Sequence, residues 1–247
     1  MHALRCGLLA FAIAAVPAAQ TIEPPLSESR LTVHTLLRED IFAGFLSNDM
    51  TRFERAERNI EALLQQRPSE RGNLLAWKGG AKLYRAVRAF ETGSAADAHE
   101  YVHQARALFA EATATTSGNE GVPAIVGGSL ATFADRLPEQ FRAAAWSMAY
   151  DNYSILFKQQ ASALDRMPVH FRGEVLAGLA QSAQRTGRAD EAAQRVDQML
   201  AMLANTPYES MAKRWKAEPS AANGSTLMCK SCHEAGRLSP TLERLNK

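Results

Sequence analysis

Nine breaks punctuate a chain that otherwise keeps the periodicity of a helix from Leu31 to about Ala217. They fall at Arg67-Pro68-Ser69, Thr92-Gly93-Ser94, Ser117-Gly118-Asn119, Val122-Pro123, Leu137-Pro138, Met167-Pro168, Thr186-Gly187, Thr206-Pro207 and Glu218-Pro219. Proline and glycine at these points end helices, because one lacks the N–H and the other relaxes the backbone. Between the breaks alanine is abundant and apolar residues recur at three- and four-residue steps, one face of a helix. No window alternates apolar and polar residues for long enough to propose a strand. The pattern predicts an all-α fold.

With 247 residues, 46% hydrophobic and 22% charged, the chain can bury a core of its own in one domain or two small ones. Lys+Arg 28 against Asp+Glu 26 is too even for nucleic acid to be the main partner, which needs a dense basic surface. Arg5 precedes an apolar run from Cys6 to Val16, and Val16-Pro17-Ala18-Ala19 supplies the small residues of a cleavage site. That run is shorter than the ~20 apolar residues a membrane anchor needs, so residues 1–19 read as a cleaved secretory signal. No other stretch is apolar enough to span a membrane. The mature chain is expected to be soluble and periplasmic or otherwise extracytoplasmic, with a polar leader at 20–34, a helical region at 35–217 and a tail at 218–247.

The helices look paired. Gly44, Ala56 and Pro68 are spaced by twelve, and so are Ala180 and Ala192, with Thr186-Gly187-Arg188 as the turn between the last two and Pro207 closing the unit. A middle unit runs from Leu74-Leu75-Ala76-Trp77 through Tyr84 to Ala105 and Phe109, carrying an extended turn around Gly93. Small residues at such points let two antiparallel helices approach closely. The small–small–proline spacing resembles the tetratricopeptide repeat, in degenerate form because Ala56, Ala105 and Ala192 are not separated by multiples of its period. That resemblance implies an array of antiparallel helix hairpins that docks a partner protein. Trp146, Tyr150, Tyr153 and Phe157 share one helix face and read as a core stripe.

The tail carries the chemistry: Cys229-Lys230-Ser231-Cys232-His233. In this C-x-x-C-H spacing two thiols add to the two vinyl groups of a haem, and the adjacent imidazole becomes an axial ligand of its iron. Composition alone would produce the pattern about 0.0009 times in such a chain. A thioredoxin-like pair belongs in a βαβ setting that is missing here. Structural zinc needs four ligands, and no second cysteine pair exists. A disulfide across two residues would be strained and would leave His233 without a role. The segment resembles c-type cytochromes, and its wording is most similar to the C-terminal motif of class II cytochromes c. The resemblance covers about residues 226–237 and implies one covalent haem c, with Cys229 and Cys232 as thioether attachments and His233 as axial ligand.

Only fourteen residues follow His233, none a methionine, so a self-contained class I cytochrome domain is excluded. The other iron face is empty, or ligated from another chain, or from upstream, where Met199, Met202, Met211, His34, His170 and the pair His99/His103 are available. Ser239-Pro240 with Leu238, Leu242 and Leu245 predicts a short terminal helix that covers the haem edge or docks on the last helix pair. No serine–histidine–aspartate, paired-carboxylate or phosphate-loop signature appears. The expected function is a haem-bearing periplasmic protein for electron transfer, or an accessory of a redox complex, whose repeats dock a redox protein or complex subunit. An interaction scaffold without haem, and a haem enzyme or small-gas sensor with an open iron face, remain alternatives.

Overall fold

The computed structural model describes residues 22–115, 121–224 and 236–247. The expected signal peptide and the C-x-x-C-H motif lie outside the described residues, as does the break at Ser117-Gly118-Asn119. Ten α-helices and no strand are found among the described residues. They are α1 (Val33–Ser47), α2 (Met50–Gln66), α3 (Arg71–Glu91), α4 (Ala95–Thr115), α5 (Gly121–Phe133), α6 (Glu139–Gln160), α7 (Val169–Arg185), α8 (Ala189–Met202), α9 (Pro207–Ala217) and α10 (Leu238–Leu245). The all-α expectation holds.

Eight of these form consecutive hairpins: α1 with α2, α3 with α4, α5 with α6 and α7 with α8. The odd-numbered helices also pack on one another, α1 on α3, α3 on α5 and α5 on α7, so they make one layer and their even-numbered partners another. Helix α9 packs on α8, and the 3₁₀ turn Pro219–Gly224 seats against α7 and α9. The hairpins begin at Val33, Arg71, Gly121 and Val169, an uneven repeat.

Local chemistry explains the ends. Asn48, in the left-handed region at φ 56°, closes α1, and Asp49 accepts the Arg52 N–H at 3.1 Å to open α2. That turn contains no proline or glycine and is missing from the breaks expected of the sequence. Gly93 and Gly187 take φ of 88° and 77° in the α3–α4 and α7–α8 turns. The middle unit is longer than its neighbours for a different reason than expected: its turn is tight, and the extra length lies in α3 and α4, each 21 residues. Pro123 does not end a helix but sits in the first turn of α5, where a missing N–H leaves no hydrogen bond unmade.

Close approach comes from glycines under aromatic rings. A Cβ at Gly44 would lie 2.6 Å from Phe53, at Gly173 2.3 Å from Tyr208, and at Gly178 2.2 Å from Tyr153. The buried stripe of α6 splits the apolar interior: residues up to Ala149 join the core of α1–α5, and Tyr153 and Leu156 join that of α7–α9. Asp40, 2% exposed, ties α1 to α2 by accepting from Arg52 at 2.8 Å and Arg55 at 2.6 Å.

The first and the last described segments are both tied down. The leader expected to be merely polar buries Leu31, and Arg67 donates to the carbonyls of Leu26, Glu28 and Leu31 at 2.6–2.8 Å. Helix α10 begins at Leu238 rather than at an N-cap Ser239, and it packs on α1 instead of on the last helix pair. Its stripe Leu238, Leu242 and Leu245 joins the core of α1–α5. Long-range packing decided this, because the stripe alone does not name its partner.

Gly178→Ala tests the glycine–aromatic contacts. Alanine gains about 1 kcal/mol in helix propensity, yet the clash with a fully buried ring is expected to lower stability by a net 1–3 kcal/mol, roughly. Urea unfolding of the variant, alone and with Tyr153→Leu, reads the loss and its partial recovery.

Candidate functional site

Cys229, Cys232 and His233 lie in sequence between two fixed points. Upstream, Gln181 of α7 donates its Nε2 to the carbonyl of Ala222 at 2.8 Å, a bond buried in the interior. Downstream, the Glu39 carboxylate of α1 accepts the backbone N–H of Gly236 at 3.1 Å and that of Leu238. A carboxylate at this position also complements the positive end of α10. Arg30 donates to the Leu245 carbonyl at 2.7 Å, satisfying one acceptor at the other end of α10. The chain therefore leaves α7 and returns to α1.

Near that return point His34 and Arg38 of α1 lie by the buried Trp77 of α3. His34 and Arg38 are four apart and share a face of α1. The His34 ring stacks on Trp77 of α3, centroids 5.5 Å apart and planes 30° apart, and Phe42 meets the same indole edge-on at 6.0 Å. Burial pushes the His34 imidazole down to about 4, with the Arg38 charge acting in the same direction and Glu174 of α7 opposing it. The ring is therefore neutral at ordinary pH, the form that ligates metals. Burial likewise lowers Arg38 from its ordinary value, Glu39 opposes this, and Arg237 and Arg244 add to the lowering. Arg38 thus feels one carboxylate and two further guanidinium groups. Among the described residues, Arg38 Nε and Trp77 Nε1 are buried donors with no acceptor.

The two thiols and the imidazole expected to hold a haem lie outside the described residues; beside the return point the described residues supply an imidazole stacked on a buried indole, and two buried donors without an acceptor among them.

His34 has partners of its own, and the other expected ligands are engaged as well. Met199 is fully buried and Met211 nearly so in the core of α7–α9, and Met202 packs against it. His170 has Glu174 Oε2 at 3.3 Å from its Nε2 and the Tyr208 hydroxyl at 3.4 Å from its Nδ1. His99 and His103 both meet Phe141 edge-on, at 4.9 and 6.0 Å, and His99 also lies 2.7 Å from Gln140 Nε2. Among the described residues no three His, Cys, Asp or Glu side chains cluster as a metal site, and no helix is long and apolar enough to cross a membrane.

The aromatic stripe of α6 is core in part. Trp146 and Tyr153 are buried, while Tyr150 and Phe157 are half-buried beneath the guanidinium groups of Arg188 and Arg195, 4.0 and 4.2 Å from the ring centres. A pocket of about 410 Å³ opens there, lined by Tyr150, Ser154, Phe157, Lys158, Glu191 and Arg195. Sequence reading missed Arg38, Glu39 and Trp77 as a unit. The four-residue step from His34 to Arg38 was visible, but nothing local announces that residues some two hundred positions later land beside it.

Compared with family models, curated proteins and solved structures, the chain matches none.

Two outcomes follow from this geometry. A histidine whose folded value lies below its ordinary one binds its proton first in the unfolded chain, so stability is full above about pH 6.5 and falls as the pH drops toward 4. In haem-free protein the loss between pH 7 and 5 is expected to be about 2 kcal/mol, and His34→Phe should flatten it, as read by urea unfolding. Glu39→Ala is expected to free α10 at a cost of about 1–3 kcal/mol, so that limited proteolysis trims the C-terminus while far-UV circular dichroism stays near that of the native protein.

Proposed function

We propose that this chain is an exported, haem c-bearing helical-repeat protein that transfers electrons or serves as an accessory of a redox complex. The observation that carries the reading is the Cys229-Lys230-Ser231-Cys232-His233 sequence, and the apolar leader ahead of it supports attachment on the extracytoplasmic side of a membrane. Cys229 and Cys232 hold the porphyrin through sulfur, and His233 binds the iron. Bound in this way, haem supplies a one-electron couple at its iron. The rest is the work of the chain itself. Gln181 holds Ala222 against α7, and Glu39 holds Gly236 against α1, on either side of the segment in sequence. Arg38, with Arg237 and Arg244 near it, supplies positive charge for carboxylates.

The hairpin array supports the second half of the proposal. Two layers of helices joined by short turns expose long surfaces from α2 to α8 on which a protein partner can seat. The partner expected is a redox protein or the subunit of a redox complex, recognised by this surface while the tail carries the electron. Nothing in the charge balance or the described surface favours nucleic acid.

The test is the pyridine haemochrome spectrum of protein matured in a host that attaches haem to cysteine thiols. The expected product is red, with a thioether-type spectrum and one haem per chain. Replacing both Cys229 and Cys232 with serine should abolish covalent haem and leave helix content unchanged. A colourless native product would leave only a helical docking module.

A further inference from the structure

We infer that the cavity between α6 and α8 binds a small organic acid, its carboxylate met by Arg195 and its apolar body by the rings of Tyr150 and Phe157. This goes beyond the haem reading and stands without it.

Three observations converge on the cavity. The first is a ladder of stacked guanidinium groups along α6, complete at one end and open at the other. The Arg185 guanidinium lies over the Trp146 ring, 5.0 Å from its centre, and both side chains donate to the Asp135 carboxylate, the indole N–H at 2.8 Å. Three turns further along α6, Arg195 lies over Phe157 at 4.2 Å in the same way. Its terminal nitrogens reach Gln198 at 2.9 Å and Glu191 at 3.5 Å, the outer limit of a hydrogen bond. Its Nε is buried without an acceptor among the described residues. A guanidinium stacked on a ring holds its N–H fork in one plane, ready for a carboxylate.

The second observation is the space. The cavity holds about 410 Å³, inside the usual range for small-molecule sites. Buried Leu179 of α7 lines it, and Ile155 lines it from an exposed position.

The third is the balance of charge and donors. Arg188, stacked on Tyr150 at 4.0 Å, Arg195 and Lys158 stand against Asp151 and Glu191, which leaves one positive charge in excess. Glu191 is committed to the Tyr150 hydroxyl, which donates to its Oε2 at 2.6 Å. That bond and burial raise the phenol above its ordinary value, with Ser154 opposing, so the proton stays on the phenol. Ser154 Oγ is itself buried with no hydrogen bond formed among the described residues. Buried donors cost stability unless an acceptor arrives. The cavity beside the leader differs, because its Arg67 is matched by three backbone carbonyls.

Calorimetric titration of the full chain tests the site with phenylpropionate, phenylbutyrate and octanoate as probes. At least one should bind saturably with one site per chain, and its neutral amide should bind about tenfold more weakly or worse. Arg195→Gln should weaken the acid by about tenfold or more, and Ser154→Ala by about threefold. Ser154→Leu fills the cavity from α6 and should abolish binding while far-UV circular dichroism stays near that of the native protein. It decides the matter should Arg195→Gln fail to fold. No saturable binding by any of the three acids, equal binding of acid and amide, or an affinity unchanged by Arg195→Gln and Ser154→Leu would overturn the inference. A peptide ending in a free phenylalanine carboxylate that binds far more tightly than the acids would overturn the small-molecule source and assign the cavity to a protein terminus.

Discussion

Tyr153 of α6 lies against Gly127 of α5 and would collide with any Cβ at Gly178 of α7, so a single ring is seated among three helices of both layers. It is fully buried, and it marks the point along α6 where one apolar cluster gives way to the next. Close packing of this kind tolerates neither a larger residue at the glycines nor a smaller one in place of the ring without leaving strain or a void. Everything on the α7–α9 side, including the 3₁₀ turn that starts the tail, is positioned relative to α1–α5 through this contact and its neighbours on α5, α6 and α7.

The helical character of the chain was legible because its signals are local. Pro68, Pro138, Pro168, Pro207 and Pro219 each lie at a helix boundary, and Gly93 and Gly187 turn the chain in left-handed backbone. Gly44 and Ala56 announced the α1–α2 pair, but not the turn itself, since Asn48 and Asp49 do there what glycine and proline do elsewhere. Pro123 misled for the opposite reason: proline is a helix breaker everywhere except the first turn, and that is where it stands.

Sites assembled from distant residues were less legible. His34 stood out as one of six histidines, but Trp77 gave no sign that it would be its stacking partner, and Leu238, Leu242 and Leu245 could have packed on any apolar face. The leader shows the same limit. Its polarity suggested a solvated strand of chain, yet the carbonyls of Leu26, Glu28 and Leu31 converge on one guanidinium, that of Arg67. A backbone oxygen carries no trace in sequence of what will donate to it. The motif at Cys229–His233 is the reverse case: its spacing is explicit in sequence, and it lies outside the described residues.

The bond between Glu39 and Gly236 closes a ring of almost two hundred residues. Shutting a loop of that size carries an entropic penalty that only a completed array can offset, because the surface receiving α10 does not exist until α1 has found α2 and α3. The end of the chain is thus the last part to settle during maturation and the first to peel away under stress.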